Sequence, residues 1–364
     1  MKQSRASTRV DERLLLSYLL LLVGGLIMIY SASSIMAESR FGSHWFFIKH
    51  QMVWAVLSLA AIWILSRIDL QRWAIYSAPG LLFTLLLLSL VFLMPARNQS
   101  HRWLFLGPLT LQPSELFRFL MVFYLAFSLS NPKRNLADLR QLLFPYIPIL
   151  GLGLGLILVE PDLGTTAAIT ITAVGIFFLA GARIKHLATA LLPPVGLATV
   201  VVFGLGYKQQ RIMDYLASVL DPLQGSYQVK QAALTFGSGG LLGTGLGDGR
   251  QKLFFLPYPH TDFIMATVGE ELGFVGMMAI IGLLFYVLWR GFKVALGQPD
   301  RFGFLLAAGM TWSLFVSIAI NVGVVTSILP VTGLAMPFFS YGGSSLLMSS
   351  AAIGVLINLS RRIK

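Results

Sequence analysis

The sequence predicts an all-α integral membrane protein of about ten transmembrane helices, with one long extracytoplasmic loop between helices 7 and 8. Three observations carry this reading. The 364 residues are 56% hydrophobic and only 12% charged, against about 45–50% and about 25% in soluble domains. A soluble chain of this length could not hide that much apolar surface from water. The apolar residues also fall in runs long enough to cross a bilayer, and the basic residues gather on alternate connections.

The first run, Leu14 to Met36, spans about 23 residues, enough for one helical crossing of a hydrocarbon core roughly 30 Å thick. It ends in Tyr30-Ser31-Ala32-Ser33-Ser34, small residues resembling a leader cleavage site. The run is too long for a leader and further spans follow, so it reads as retained. Further runs lie near 46–66, 74–94, 114–130, 142–160, 164–182, 187–206, 263–289, 303–328 and 341–359. The fifth and sixth nearly touch at Glu160-Pro161-Asp162-Leu163-Gly164, where Pro and Gly end or bend helices. A re-entrant hairpin is the other reading of that pair.

Orientation follows from Lys and Arg, which cytoplasmic segments retain. With a cytoplasmic N-terminus, the inside segments hold 17 of the 27 basic residues and five of the 15 acidic ones. The whole formal excess of +12 therefore sits inside, and the outer loops and spans balance. The excess is a topology signal, and nucleic acid is not among the expected partners. The chain reads as one polytopic domain, 1–364, with 1–13 and 360–364 cytoplasmic and 207–262 the long outer loop. It has no cysteine, which removes disulfides, thiol nucleophiles and Cys-ligated metals. The histidines at 44, 50, 101, 186 and 260 show no metal-ligand spacing.

The long loop is the densest polar stretch. Seven of the thirteen residues 237–249 are glycine, and Arg250 and Lys252 follow. Glycine permits close backbone approach to a ligand, and exposed N–H groups with two cations suit a phosphate or diphosphate. Equally, the glycines could serve only to make turns. Asp262 stands where the loop enters the eighth span. A carboxylate there either caps the helix start or, beside His260 and Thr261, accepts a proton from a sugar hydroxyl.

Glu115 and Arg118 lie three apart in the fourth span and can pair on one helix face. They read as an internal ion pair or as the lining of an outward polar cavity. Glu160 and Asp162 read as a solvated turn, with cation binding the alternative. Glu270 and Glu271 diverge around their helix, so at most one can share a cavity with Asp262, and the other is expected to pair with a neighbouring helix. Arg102 and Trp103 could contact a sugar or phosphate, or belong to the interfacial aromatic belt. Ser340-Tyr341-Gly342-Gly343-Ser344-Ser345 opens the last span, as close helix packing or as a polar wall.

Several stretches together resemble one known family. They are Arg102-Trp103 with Gly107 and Gln112-Pro113-Ser114-Glu115; Pro161-Asp162-Leu163-Gly164-Thr165; Gly225-Ser226-Tyr227-Gln228; and Gly237-Ser238-Gly239-Gly240. Next come His260-Thr261-Asp262-Phe263, Gly269-Glu270-Glu271-Leu272-Gly273, and Leu329-Pro330-Val331-Thr332-Gly333 through Pro337 to Ser345. Their order is similar to that of the SEDS family (shape, elongation, division and sporulation), its FtsW branch more than its RodA branch. Glu160 departs from the pattern, since many members carry Gln there.

The resemblance implies a ten-helix fold and an inverting peptidoglycan glycosyltransferase of the bacterial cytoplasmic membrane. Such an enzyme polymerises lipid II into β-1,4 glycan beside a class B penicillin-binding protein. It places the essential carboxylate on Asp262 and polar cavity positions on Glu115 and Asp162. Arg250, Lys252 or a divalent cation (Mg or Mn) would neutralise the departing diphosphate. The competing expectations are a lipid II flippase and a non-catalytic scaffold for the penicillin-binding protein.

Overall fold

A computed structural model describes residues 10–95, 100–107, 109–134, 138, 140, 144, 146–204, 209–220, 226–250, 255–257 and 259–363. A helix occupies each apolar run read from the sequence. In chain order these are α1 (Glu12–Phe41), α2 (Phe46–Leu65), a short α3 (Leu70–Ala74), α4 (Ser77–Leu90), α5 (Pro113–Leu129), α6 (Ile147–Val159), α7 (Leu163–Leu179) and α8 (Ile184–Thr199). Then follow α9 (Gln209–Leu220) and α10 (Tyr227–Gly239), both within the long connection, and α11 (Ile264–Leu296), α12 (Arg301–Val325) and α13 (Gly343–Ser360). Among the described residues, α1, α2, α11, α12 and α13 are each long and apolar enough to cross a membrane. The all-helical expectation misses one feature: β1 (Leu104–Leu106) and β2 (Leu109–Leu111) form an antiparallel hairpin, with Leu104 opposite Leu111.

The helix ends follow ordinary local chemistry. Asp11 caps α1, Asp69 caps α3 and Asp300 caps α12, each carboxylate accepting a backbone N–H of the first turn. Pro113 opens α5, where its missing N–H costs nothing.

The helices run up and down in one bundle. Leu16, Leu20, Val23 and Ile27 of α1, and Leu82, Phe83 and Leu86 of α4, stay exposed as an apolar outer surface. Bilayer, not water, is the solvent that such a belt requires. α13 lies in the interior against α2, and close packing uses small residues: a Cβ on Gly354 would fall 2.9 Å from the Ile62 Cα.

At one end of the bundle the first and last helices meet. The Asp11 N–H donates to the Ser360 hydroxyl, and Arg290 of α11 pairs with the Asp11 carboxylate. The Asn358 amide donates to the carbonyls of Leu65 and Ile68, at 2.8 and 2.7 Å. The opposite end gathers the hairpin, the α6–α7 turn, the start of α11 and residues 332–342.

α11 is broken at Gly273, whose φ of 68° and ψ of −171° are essentially restricted to glycine. Ordinarily a break orphans carbonyls on one side and N–H groups on the other. Here the glycine-rich loop supplies both partners. Thr244 and Gly245 donate to the carbonyls of Glu270 and Glu271, while Gly240 and Leu241 accept from the N–H groups of Phe274 and Val275. The first part of α11 is buried, whereas Phe274 and Val275 are exposed on the apolar surface.

Candidate functional site

Asp262 lies on a non-helical segment just ahead of α11. The cap position belongs to Phe263, whose own side chain makes no cap bond, so Asp262 stands one residue outside it. The segment is braced by the chain returning from α12 to α13. The Tyr341 N–H donates to the His260 carbonyl at 2.9 Å, and the Ser340 hydroxyl to the Thr261 carbonyl at 2.7 Å. The Asn321 amide of α12 donates to the Asp262 carbonyl at 3.1 Å. Three consecutive carbonyls are thus each met by a different donor. The Asp262 side chain itself is half-buried. A Cβ on Gly333 would lie 3.6 Å from its Oδ2, so the returning chain passes close to the carboxylate.

His260 is buried, its ring against Phe47 and Tyr341. Burial, with Arg40 adding to the effect, pulls its imidazole from the ordinary 6.5 down to about 4. It is therefore neutral near pH 7 and offers no charge to a phosphate. Ser340 is also buried, and its hydroxyl accepts from the Met336 N–H while donating to Thr261. These bonds make it a brace of the site.

The α6–α7 turn is buried, which corrects the expectation of a solvated turn. Asp162 caps α7: its carboxylate accepts from the Thr165 N–H at 3.1 Å and the Thr165 hydroxyl at 2.9 Å. Arg102 reaches this carboxylate at 3.5 Å and donates to the carbonyls of Glu160 and Pro161. The hairpin makes this possible, because it folds back so that Arg102 and Gln112 both arrive at Asp162. Both carboxyl oxygens of Glu160 are buried without a hydrogen-bond partner among the described residues. Gly164 abuts Thr332, one residue from the Gly333 that lies beside Asp262. The two aspartates therefore flank the same returning segment. Trp103, next to Arg102, is half-buried.

Glu115 and Arg118 form a buried ion pair at 2.7 Å, and Arg118 also donates to Ser317 of α12 at 2.6 Å. They line a small cavity with Ser313, Met348 and Ser349. The ion-pair reading describes this place; the cavity beside it is lined largely by apolar residues, among them Phe119, Met310, Leu314 and Ala352.

Part of the glycine-rich loop faces the glutamates of α11. The N–H of Arg250 donates to the Glu270 carboxylate at 2.7 Å, and that of Gly247 to Glu271 at 3.1 Å. Glu271 also accepts from Ser31 of α1, the neighbouring-helix contact expected of one of the two glutamates. Two of the loop's N–H groups thus serve the protein's own carboxylates. The Arg250 side chain is exposed. Lys252 and Gln251 lie outside the described residues, as does Gly225. Among the described residues, no three Asp, Glu or His side chains gather as a metal site. Sequence reasoning missed Asn321 and Gln51, although a lone polar residue inside an apolar span is itself a signal.

Comparison with known proteins places the chain among relatives that match it over nearly its whole length. A family model described as "Cell cycle protein" (FtsW, RodA, SpoVE) matches residues 12–364. A probable peptidoglycan glycosyltransferase FtsW of Geobacter metallireducens is 39% identical over 359 residues, covering 98% of this chain and 96% of the relative. Stage V sporulation protein E of Bacillus subtilis is 40% identical over 360 residues, covering 97% and 98%. A chain of a solved peptidoglycan synthase complex, described as coordinating polymerization and crosslinking, superposes with a TM-score of 0.78 at 26% identity, covering 97% and 98%. Thermus thermophilus RodA superposes at 0.71 and 27% identity, covering 97% of each chain. The multi-pass helical bundle, the motif order and these matches lead to one conclusion: the chain belongs to the FtsW/RodA/SpoVE family of cell cycle proteins and is FtsW-like.

Proposed function

We propose that this protein is a peptidoglycan glycosyltransferase, polymerising lipid II on the outer face of the bacterial cytoplasmic membrane with Asp262 as general base. The supporting observation is the half-buried Asp262 carboxylate on a backbone held at three successive carbonyls. Such bracing is what a positioned catalytic group requires. Asp262 takes the proton of the 4-hydroxyl on the N-acetylglucosamine of one lipid II. That oxygen attacks C1 of the N-acetylmuramic acid on another, and undecaprenyl diphosphate leaves. Inversion of the α-linked donor gives β-1,4 glycan. A diphosphate leaves without a proton if its charge is met, so one carboxylate suffices where a hydrolase would need two. Arg250 and Lys252, or a divalent cation arriving with the diphosphate, supply that charge.

The orientation assigned is the one that keeps the basic end inside. Both termini are then cytoplasmic, and the site end faces out. The assigned partner is a class B penicillin-binding protein, in keeping with the solved synthase complex. The test supplies labelled lipid II to the purified protein together with a transpeptidase-dead partner. The expected product is polymer that a β-1,4 muramidase degrades. Translocation of lipid II in liposomes without polymer would favour the flippase reading instead, for which the Glu115–Arg118 pair inside the bundle speaks.

A further inference from the structure

We propose that Asn321 and Ser340 are positioning residues for Asp262, acting through the backbone of residues 261–262. The inference rests on the reading of Asp262 as the general base and adds how that base is held. Asn321 is 1% exposed and sits within α12, one turn before the helix ends. Its amide donates to two carbonyls from different segments, Asp262 at 3.1 Å and Leu334 at 2.7 Å. It therefore ties the catalytic segment to the returning chain and both to α12. Ser340 does the same one residue upstream, donating to Thr261 and accepting from Met336. Gln51 of α2 backs this arrangement, its amide donating to the Ser340 carbonyl and accepting from the Gly342 N–H.

A buried side chain that satisfies two carbonyls is one of the strongest local constraints available where water is excluded. Its consequence for the reaction is geometric. The Asp262 carboxylate is carried on this backbone, so a displacement of the segment moves it. A shift of about 1 Å at a base can cost on the order of a hundredfold in rate. Neither residue touches the reacting atoms. Loss of either should lower turnover and leave lipid II binding in place.

Asn358 provides a matched control. Its amide also donates to two carbonyls, Leu65 and Ile68, but at the opposite end of the bundle. Asn321→Leu, Ser340→Ala, Asn358→Leu and Asp262→Asn are compared for initial rates of lipid II polymerisation, with kcat and KM separated and thermal midpoints recorded. Asn321→Leu and Ser340→Ala are expected to lower kcat at least about tenfold with KM within about twofold. Asn358→Leu should lose comparable stability with kcat close to wild type. Wild-type kcat in Asn321→Leu and Ser340→Ala overturns the proposal, as does an equal fall in Asn358→Leu. If Asn321→Leu does not fold, Ser340→Ala decides alone, since it removes one hydroxyl. An active Asp262→Asn protein removes the base reading, and this proposal with it. An inactive Asp262→Asn beside a fully active Asn321→Leu removes the positioning role only.

Discussion

Two polar residues just ahead of α11 have opposite chemical characters. His260 is buried among rings and held neutral, while Asp262, two residues on, is half-buried at the proposed point of reaction. The depressed His260 pKa has a signed consequence. The unfolded chain binds a proton near pH 6.5, and the folded chain only near pH 4. Stability is therefore complete above 6.5 and falls as the pH drops towards 4, by up to about 3 kcal/mol. Thermal midpoints measured between pH 7 and 4 should show this fall, and His260→Phe should flatten it. At the buried ion pair, Arg118→Ala strands the Glu115 carboxylate and should cost about 3–5 kcal/mol. The double change Glu115→Gln with Arg118→Met should recover most of that loss in a thermal-shift assay. Asp262 was legible as a candidate because it marks a loop-to-helix boundary. Where the helix begins was not legible to the residue: the cap position falls on Phe263, one place after Asp262.

At the scale of elements, hydropathy made the helices legible because each must offer an apolar surface to lipid or to its neighbours. The break in α11 was not. Gly273 reads as one glycine among many, and its role appears only when the loop thirty residues upstream supplies the missing backbone partners. The same long-range pairing hid the partners of Glu270 and Glu271, since backbone N–H groups leave no mark in a sequence. Gly273→Ala should be severe. The new Cβ would stand 2.3 Å from the Gly243 nitrogen, in a conformation disfavoured for any L side chain. A loss of about 3 kcal/mol or more is expected, read as a fall in thermal midpoint and in folded yield. Gly282, in the straight second part of α11 with open space around it, should accept Ala with little effect.

The whole molecule is polarised. Ion pairs and capped helix ends lock the basic end, where Asp11 meets Arg290 and Ser360. The opposite end assembles carboxylates, Arg102 and the returning segment around Asp262. This division accounts for the composition. In the proposed orientation the surplus of cations lies on the inner face, and the balanced charges elsewhere are left for chemistry. The clasp on Asp262 was beyond sequence reading because its donors, Asn321, Ser340 and Tyr341, lie 59 to about 80 residues further along the chain. The most direct measurement is glycan formation from labelled lipid II by Asp262→Asn protein, checked for normal thermal stability and for partner binding. The account predicts a stable, partner-bound protein that makes no polymer. Polymer at close to the wild-type rate would contradict it.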